Sequence, residues 1–200
     1  KKTGMPIDVF PRTAEDLADP KLLDAFINFA RTSHVTLMHL MGGKKGFTGF
    51  DRVIAALRDA HVPLFASDVQ SDPEIVACST VNQDDYQKIH QYINYGGLEN
   101  YENLLLFLAN RFAGSHFEAK PPKKMPLQAI YHPNFGHICT LAEYMEKVYV
   151  RGRPTVGIFF HNDPLKTGDI NLATSLIRSV EQPGANVILV FFSANDVSAK

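Results

Sequence analysis

The sequence predicts an α/β protein: two parallel-sheet α/β units joined by a helical hairpin and a Pro/Lys linker. Three observations predict it. Short apolar runs at 35–40, 62–66, 155–160 and 187–192 have the length and the β-branched or aromatic content of buried strands. Stretches with apolar residues at helical spacing lie between them. Three prolines and three lysines interrupt the pattern at 118–126, which divides the chain into 1–118, a linker at 119–126, and a second unit at 127–200.

Each element has a local reason. Residues 6–10 are a short extended candidate closed by Pro11. Thr13 and Asp16 have capping-box spacing near a helix start. Asp19-Pro20 opens a better helix, with Leu22, Leu23, Phe26, Ile27 and Ala30 on one face. Residues 35–40 form a strand and 41–46 a Gly/Lys loop. The helix at 50–60 carries Phe50, Val53, Ile54 and Leu57 on one side, and 62–66 is the next strand. A long connection rich in Ser, Asp and Pro covers 67–81. Helices at 84–95, stopped by Gly96-Gly97, and 98–113, stopped by Gly114, form the hairpin, the second with a Leu104, Leu105, Leu108, Phe112 stripe. The second unit reads as strand 128–132, helix 140–149, buried strand 155–160, helix 169–181 ended by Pro183-Gly184, and buried strand 187–192, in a parallel sheet covered on both faces.

Composition excludes several classes. Of 200 residues, 45% are hydrophobic and 20% charged, with a net charge of −1, so no basic field attracts nucleic acid. No apolar run is long enough to span a bilayer. The start, Lys-Lys-Thr-Gly-Met-Pro, does not read as a signal peptide. It also lacks an initiator Met, which reads as part of a longer chain. Cys78 and Cys139 form no CxxC pair and are expected to be reduced. Gly-x-Ser-x-Gly is absent, and Gly42–Gly49 lacks the Gly-Lys-[Ser/Thr] ending of a phosphate-cradling loop.

The order of several segments resembles a known family. They are Ile-Tyr-His-Pro at 130–133, Leu-Ala-Glu-Tyr-Met-Glu at 141–146, Arg-Pro-Thr-Val-Gly-Ile-Phe-Phe-His at 153–161, Thr-Gly-Asp at 167–169, Ser-Leu-Ile-Arg-Ser-Val-Glu at 175–181 and Asn-Val-Ile-Leu-Val-Phe-Phe at 186–192. Together with Leu-Met-Gly-Gly at 40–43, Val-Pro-Leu-Phe at 62–65 and Gly-Gly-Leu-Glu-Asn at 96–100, they resemble the cobaltochelatase large subunit (CobN type) and the magnesium chelatase H-subunit family over roughly residues 30–195. Phe160-His161 departs from the Tyr-Arg of many members.

The resemblance implies a cytoplasmic, tetrapyrrole-binding large subunit that inserts a divalent metal, cobalt into a corrin precursor of cobalamin biosynthesis. It implies two smaller partner subunits, including an AAA+ ATPase, with ATP used by the partners and not by this chain. It assigns no catalytic residue here, since the family's catalytic groups are expected beyond residue 200, and no ring-binding residue. Magnesium–protoporphyrin insertion, removal of haem iron, a non-catalytic module docking the AAA+ partners, and a binding domain of periplasmic-binding-protein type stand as alternatives.

Eight histidines raise the question of a metal site. His34 and His39 lie on opposite strand faces; His61 and His90 read as solvent-exposed, and His116 approaches the linker. His132, His137 and His161 fall at or after strand ends, where open parallel sheets place ligands, with Asp163 and Asp169 nearby. The competing reading makes His132 structural in a His-Pro turn and the other two loop residues. Tyr131, Phe159 and Phe160 read as core, or as an aromatic wall for a flat ring.

Overall fold

The computed structural model describes residues 7–126 and 128–192. Pro6 of the expected extended segment, residue 127, and the 193–200 end of the second unit lie outside the described residues. The chain packs as two compact units, one of 7–91 with 104–119, the other of 92–103 with 120–192. The division cuts both hairpin helices, so the hairpin is shared between the units.

In the first unit, Thr13 and Asp16 exchange the expected capping bonds at 2.9 and 3.1 Å, but only a 3-10 turn, Asp16–Ala18, follows. Residues 7–10 form no strand. Helix α1 (Pro20–Ala30) starts where Asp19 Oδ1 accepts from the Lys21 N–H at 2.7 Å, with Pro20 in the first turn. Strand β1 (Thr36–Leu40), helix α2 (Phe50–Asp59) and strand β2 (Leu64–Asp68) follow, and β1 and β2 pair in parallel from Thr36↔Leu64 to Leu40↔Asp68. Phe50, Val53, Ile54 and Leu57 of α2 are all buried and join Leu23, Met38, Leu64 and Ile75 in one core.

All five residues of β2 are buried, and its outer edge is closed by the long connection. That stretch holds a short helix, α3 (Pro73–Val76), that periodicity could not show. Beyond it, Ser79 Oγ accepts from the Ala66 N–H at 2.9 Å, and Thr80 Oγ1 from the Leu64 N–H at 2.9 Å. Hydroxyls thus satisfy main-chain donors that a bare edge would leave open.

The hairpin is α4 (Gln83–Tyr95) and α5 (Leu98–Phe112). Asp85, in the first turn of α4, is buried and takes an ion pair from Arg111 Nε at 2.7 Å. Gly96, with φ 63°, ends α4; a Cβ there would lie 2.8 Å from the Lys166 Cβ.

The Pro/Lys segment has no helix or strand, yet it is not a free spacer. Asn100 Nδ2 donates to the Lys123 carbonyl at 2.8 Å, and Asn100 Oδ1 accepts the Lys123 N–H at 2.9 Å. Asn103 Oδ1 accepts the Lys120 N–H at 2.8 Å, and the Tyr92 hydroxyl donates to the Lys120 carbonyl. Asparagine amides mimic a strand partner and lay the segment along α5.

The second unit contains β3 (Gln128–Tyr131), β4 (Ile138–Cys139), α6 (Leu141–Lys147), β5 (Thr155–His161), α7 (Asp163–Thr167), α8 (Asn171–Glu181) and β6 (Asn186–Phe192). Thr140 and Glu143 form a full capping box on α6. The strand order is β4-β3-β6-β5. β5 and β6 run parallel, as expected, but β3 runs antiparallel to both β6 and β4.

Tyr131, Val187, Leu189 and Phe191 pack with Ala173 and Ile177 of α8, while Ile188, Val190 and Phe192 are only half-buried. The expectation of a buried strand at 155–160 is therefore corrected. β5 stands at the end of the strand order, and Phe159 is 77% exposed; Phe160, on the other face, packs against the core.

Candidate functional site

The three histidines singled out in sequence do not converge. His132 follows β3 and is fully buried. Its Nδ1 accepts the Asn134 N–H at 3.3 Å, so its proton sits on Nε2 and is donated to Glu181 Oε1 at 2.9 Å. Both ring nitrogens are used, and Tyr144 and Phe135 meet the ring edge-on at 5.8 and 6.4 Å. His137 is exposed in the loop between β3 and β4, its ring 6.5 Å from that of Phe135. His161 ends β5, exposed, with Nδ1 3.0 Å from Asp163 Oδ2.

The strand directions explain the separation. Tyr131 is level with Leu189 of β6, and Leu189 with Ile158 of β5. His132 lies one residue beyond that level in one direction and His161 three residues in the other. That is roughly 13 Å along the sheet and roughly 10 Å across two strand spacings. The expectation of one shared metal site at strand ends assumed a wholly parallel sheet. Among the described residues, no group of three or more His, Cys, Asp or Glu side chains is placed to hold a metal ion.

The structure gathers another polar group, which sequence reasoning missed, at the carboxyl ends of β1 and β2. His39 Nδ1 lies 2.9 Å from the Oγ of Ser67, its partner across the strand pair. Asp68 is buried and its Oδ1 accepts the Asp72 N–H at 2.6 Å. On α4, His90 stacks on Tyr86 at 5.9 Å, so it is not simply a solvent-facing residue, and Tyr86 meets Phe65 of β2 at 4.8 Å. Burial holds the His39 imidazole below its ordinary pKa, His90 adds to the depression, and Asp68 opposes it. The signal available in sequence was the pairing of a strand-end His with a Ser-Asp at the next strand end.

Two surface clefts lie in the second unit. One of about 330 Å³ is lined by Glu99, Asn100, Asn103 and the Lys120–Lys123 segment. The other, about 530 Å³, lies over β3 and β4 and is lined by Pro126, Ile130, Ile138, Cys139, Leu141 and Val190, among others. Burial, then the Glu143 carboxylate, raises the Cys139 thiol, which favours its protonated form. Cys78 and Cys139 are both free. No helix of the described residues is long and apolar enough to cross a membrane.

The chain is similar in sequence and fold to known proteins. Residues 90–200 match the CobN/Magnesium Chelatase family. An uncharacterized protein of Methanocaldococcus jannaschii is 31% identical over 179 residues, covering 86% of this chain and 14% of its own length. The aerobic cobaltochelatase subunit CobN of Pseudomonas aeruginosa is 25% identical over 171 residues, 84% of this chain and 14% of that protein. The catalytic subunit of cobaltochelatase from Mycobacterium tuberculosis has the same fold, with a TM-score of 0.62 at 20% identity over 86% of this chain and 13% of that one. The chain thus spans about one seventh of the length of these relatives. With the family matched over more than half of its residues, this chain belongs to the CobN/Magnesium Chelatase family.

Proposed function

We propose that this chain is part of the large, tetrapyrrole-binding subunit of an ATP-dependent metal chelatase. In this reading the whole subunit inserts cobalt into a corrin precursor of cobalamin biosynthesis, in the cytoplasm, with two smaller partners that include an AAA+ ATPase. The supporting observation is family membership, with two relatives named as aerobic cobaltochelatase subunits that align over most of this chain. The missing phosphate-cradling ending at Gly42–Gly49 agrees with ATP chemistry residing in the partners.

This stretch acts by enclosing the ring rather than by performing the chemistry. The cleft over β3 and β4, lined mainly by apolar side chains, offers the face of the ring an apolar surface. His161, exposed and oriented by Asp163, stays available as a single metal contact; His132 does not.

The test is reconstitution of the complete large subunit with its partner subunits, ATP and each metal and ring in parallel. Cobalt appearing in a corrin precursor supports the reading. Magnesium in protoporphyrin, or iron released from haem, would move the protein to another branch of the family. No change in any ring would remove the proposal.

A further inference from the structure

We propose that a β-strand from another stretch of the same, longer polypeptide pairs along the outer edge of β5. The inference rests on the large-subunit reading above. β5 closes the strand order, and among the described residues it pairs only with β6. Its sequence, Thr-Val-Gly-Ile-Phe-Phe-His, contains no Lys, Arg, Asp, Glu or Pro, the residues that ordinarily keep an edge from pairing.

The contrast with β2 is direct. There, Ser79 and Thr80 cap the edge amides; among the described residues β5 has no such cover, and Phe159 and Val156 stand 77% and 38% exposed. An independent observation lies at the end of the same strand. Asn162 is only 5% exposed, and its Oδ1 has no hydrogen-bond partner among the described residues. The outward-facing N–H and C=O groups of the open edge have no strand partner among the described residues, and the strand is followed by an acceptor that has no donor there. An added strand supplies partners to both kinds of edge group, and apolar side chains at its alternate positions cover Phe159. Relatives seven times longer have chain to contribute.

Hydrogen exchange of the Thr155–His161 amides tests this, in the 200-residue chain and in the complete large-subunit polypeptide. The outward-facing half of these amides exchanges at least about 100-fold more slowly in the complete polypeptide, as paired strands do relative to open edges. Equal rates in both overturn the proposal. So does protection in the 200-residue chain that grows with its concentration, which would make a second copy the occupant.

Phe159→Lys supplies a second reading. It leaves the melting temperature of the 200-residue chain unchanged and restores fast exchange in the complete polypeptide; no effect on exchange there counts against an added strand. If β5 is slow but no ring is bound or metallated, the functional reading fails and the strand stands.

Discussion

His132→Ala separates a structural histidine from a metal ligand. The ring is fully buried, donates to a carboxylate at 2.9 Å and accepts a backbone N–H at 3.3 Å. A hydrogen bond to a charged partner contributes about 1.5–3 kcal/mol. The Glu181 side chain is 27% exposed and regains some water when the ring is lost, which favours the lower end. Removing a buried ring from between Tyr144 and Phe135 adds about 1–2 kcal/mol. The sum is about 3 kcal/mol, or on the order of 100-fold faster native-state exchange of core amides in the second unit. The Ile177 and Leu189 amides report it without requiring the two units to unfold together. Cobalt affinity, measured on the same samples, stays unchanged. A loss below about 1 kcal/mol, or a tenfold fall in cobalt affinity, would refute the structural assignment. His137→Ala is the control; it is exposed and shifts stability by no more than about 0.5 kcal/mol.

The remaining predictions concern the first unit and the Lys120–Lys123 segment. Asn103→Ala removes the acceptor of the Lys120 N–H and costs about 1 kcal/mol, and Asn100→Ala costs a similar amount at Lys123. Each accelerates tryptic cleavage at Lys123–Lys124 about fivefold; unchanged cleavage would mean the asparagines do not hold the segment. His39 titrates below its unfolded value of 6.5, so the unfolded chain binds the proton more readily. Its contribution is fully present above that pH and is lost as pH falls through the depressed folded value. The stability–pH slope between pH 7 and 5 is therefore shallower in His39→Gln, and an identical slope contradicts the assignment.

The strand–helix alternation and the caps were legible because local chemistry decides them. Asp19-Pro20, Thr13 with Asp16, and Gly96-Gly97 act within one or two turns, and the structure realises the cap, the paired bonds and the stop. Strand direction was not legible. The same apolar run serves a parallel or an antiparallel neighbour, so β3 was read as parallel, and the metal reading of His132, His137 and His161 depended on that. Position in the sheet was equally hidden, since Thr155–His161 has the composition of a buried strand while occupying an edge. The role of Asn100 and Asn103 could not be read because their partners are main-chain groups, which every sequence contains. The His39–Ser67 contact joins residues 28 positions apart and needed the β1–β2 register. Family resemblance, by contrast, rested on the order of many short segments and survived errors in any one.

An absorbance titration of the 200-residue chain with a corrin precursor, protoporphyrin and haem tests the ring-enclosing role most directly. The chain contains no Trp, so the ring's own band is the signal. The account predicts a saturable shift at micromolar ring, strongest for the corrin precursor, and its loss on Ile130→Asp in the apolar cleft. A folded chain that shifts no ring would contradict it and make this stretch a scaffold on which other parts of the subunit are built.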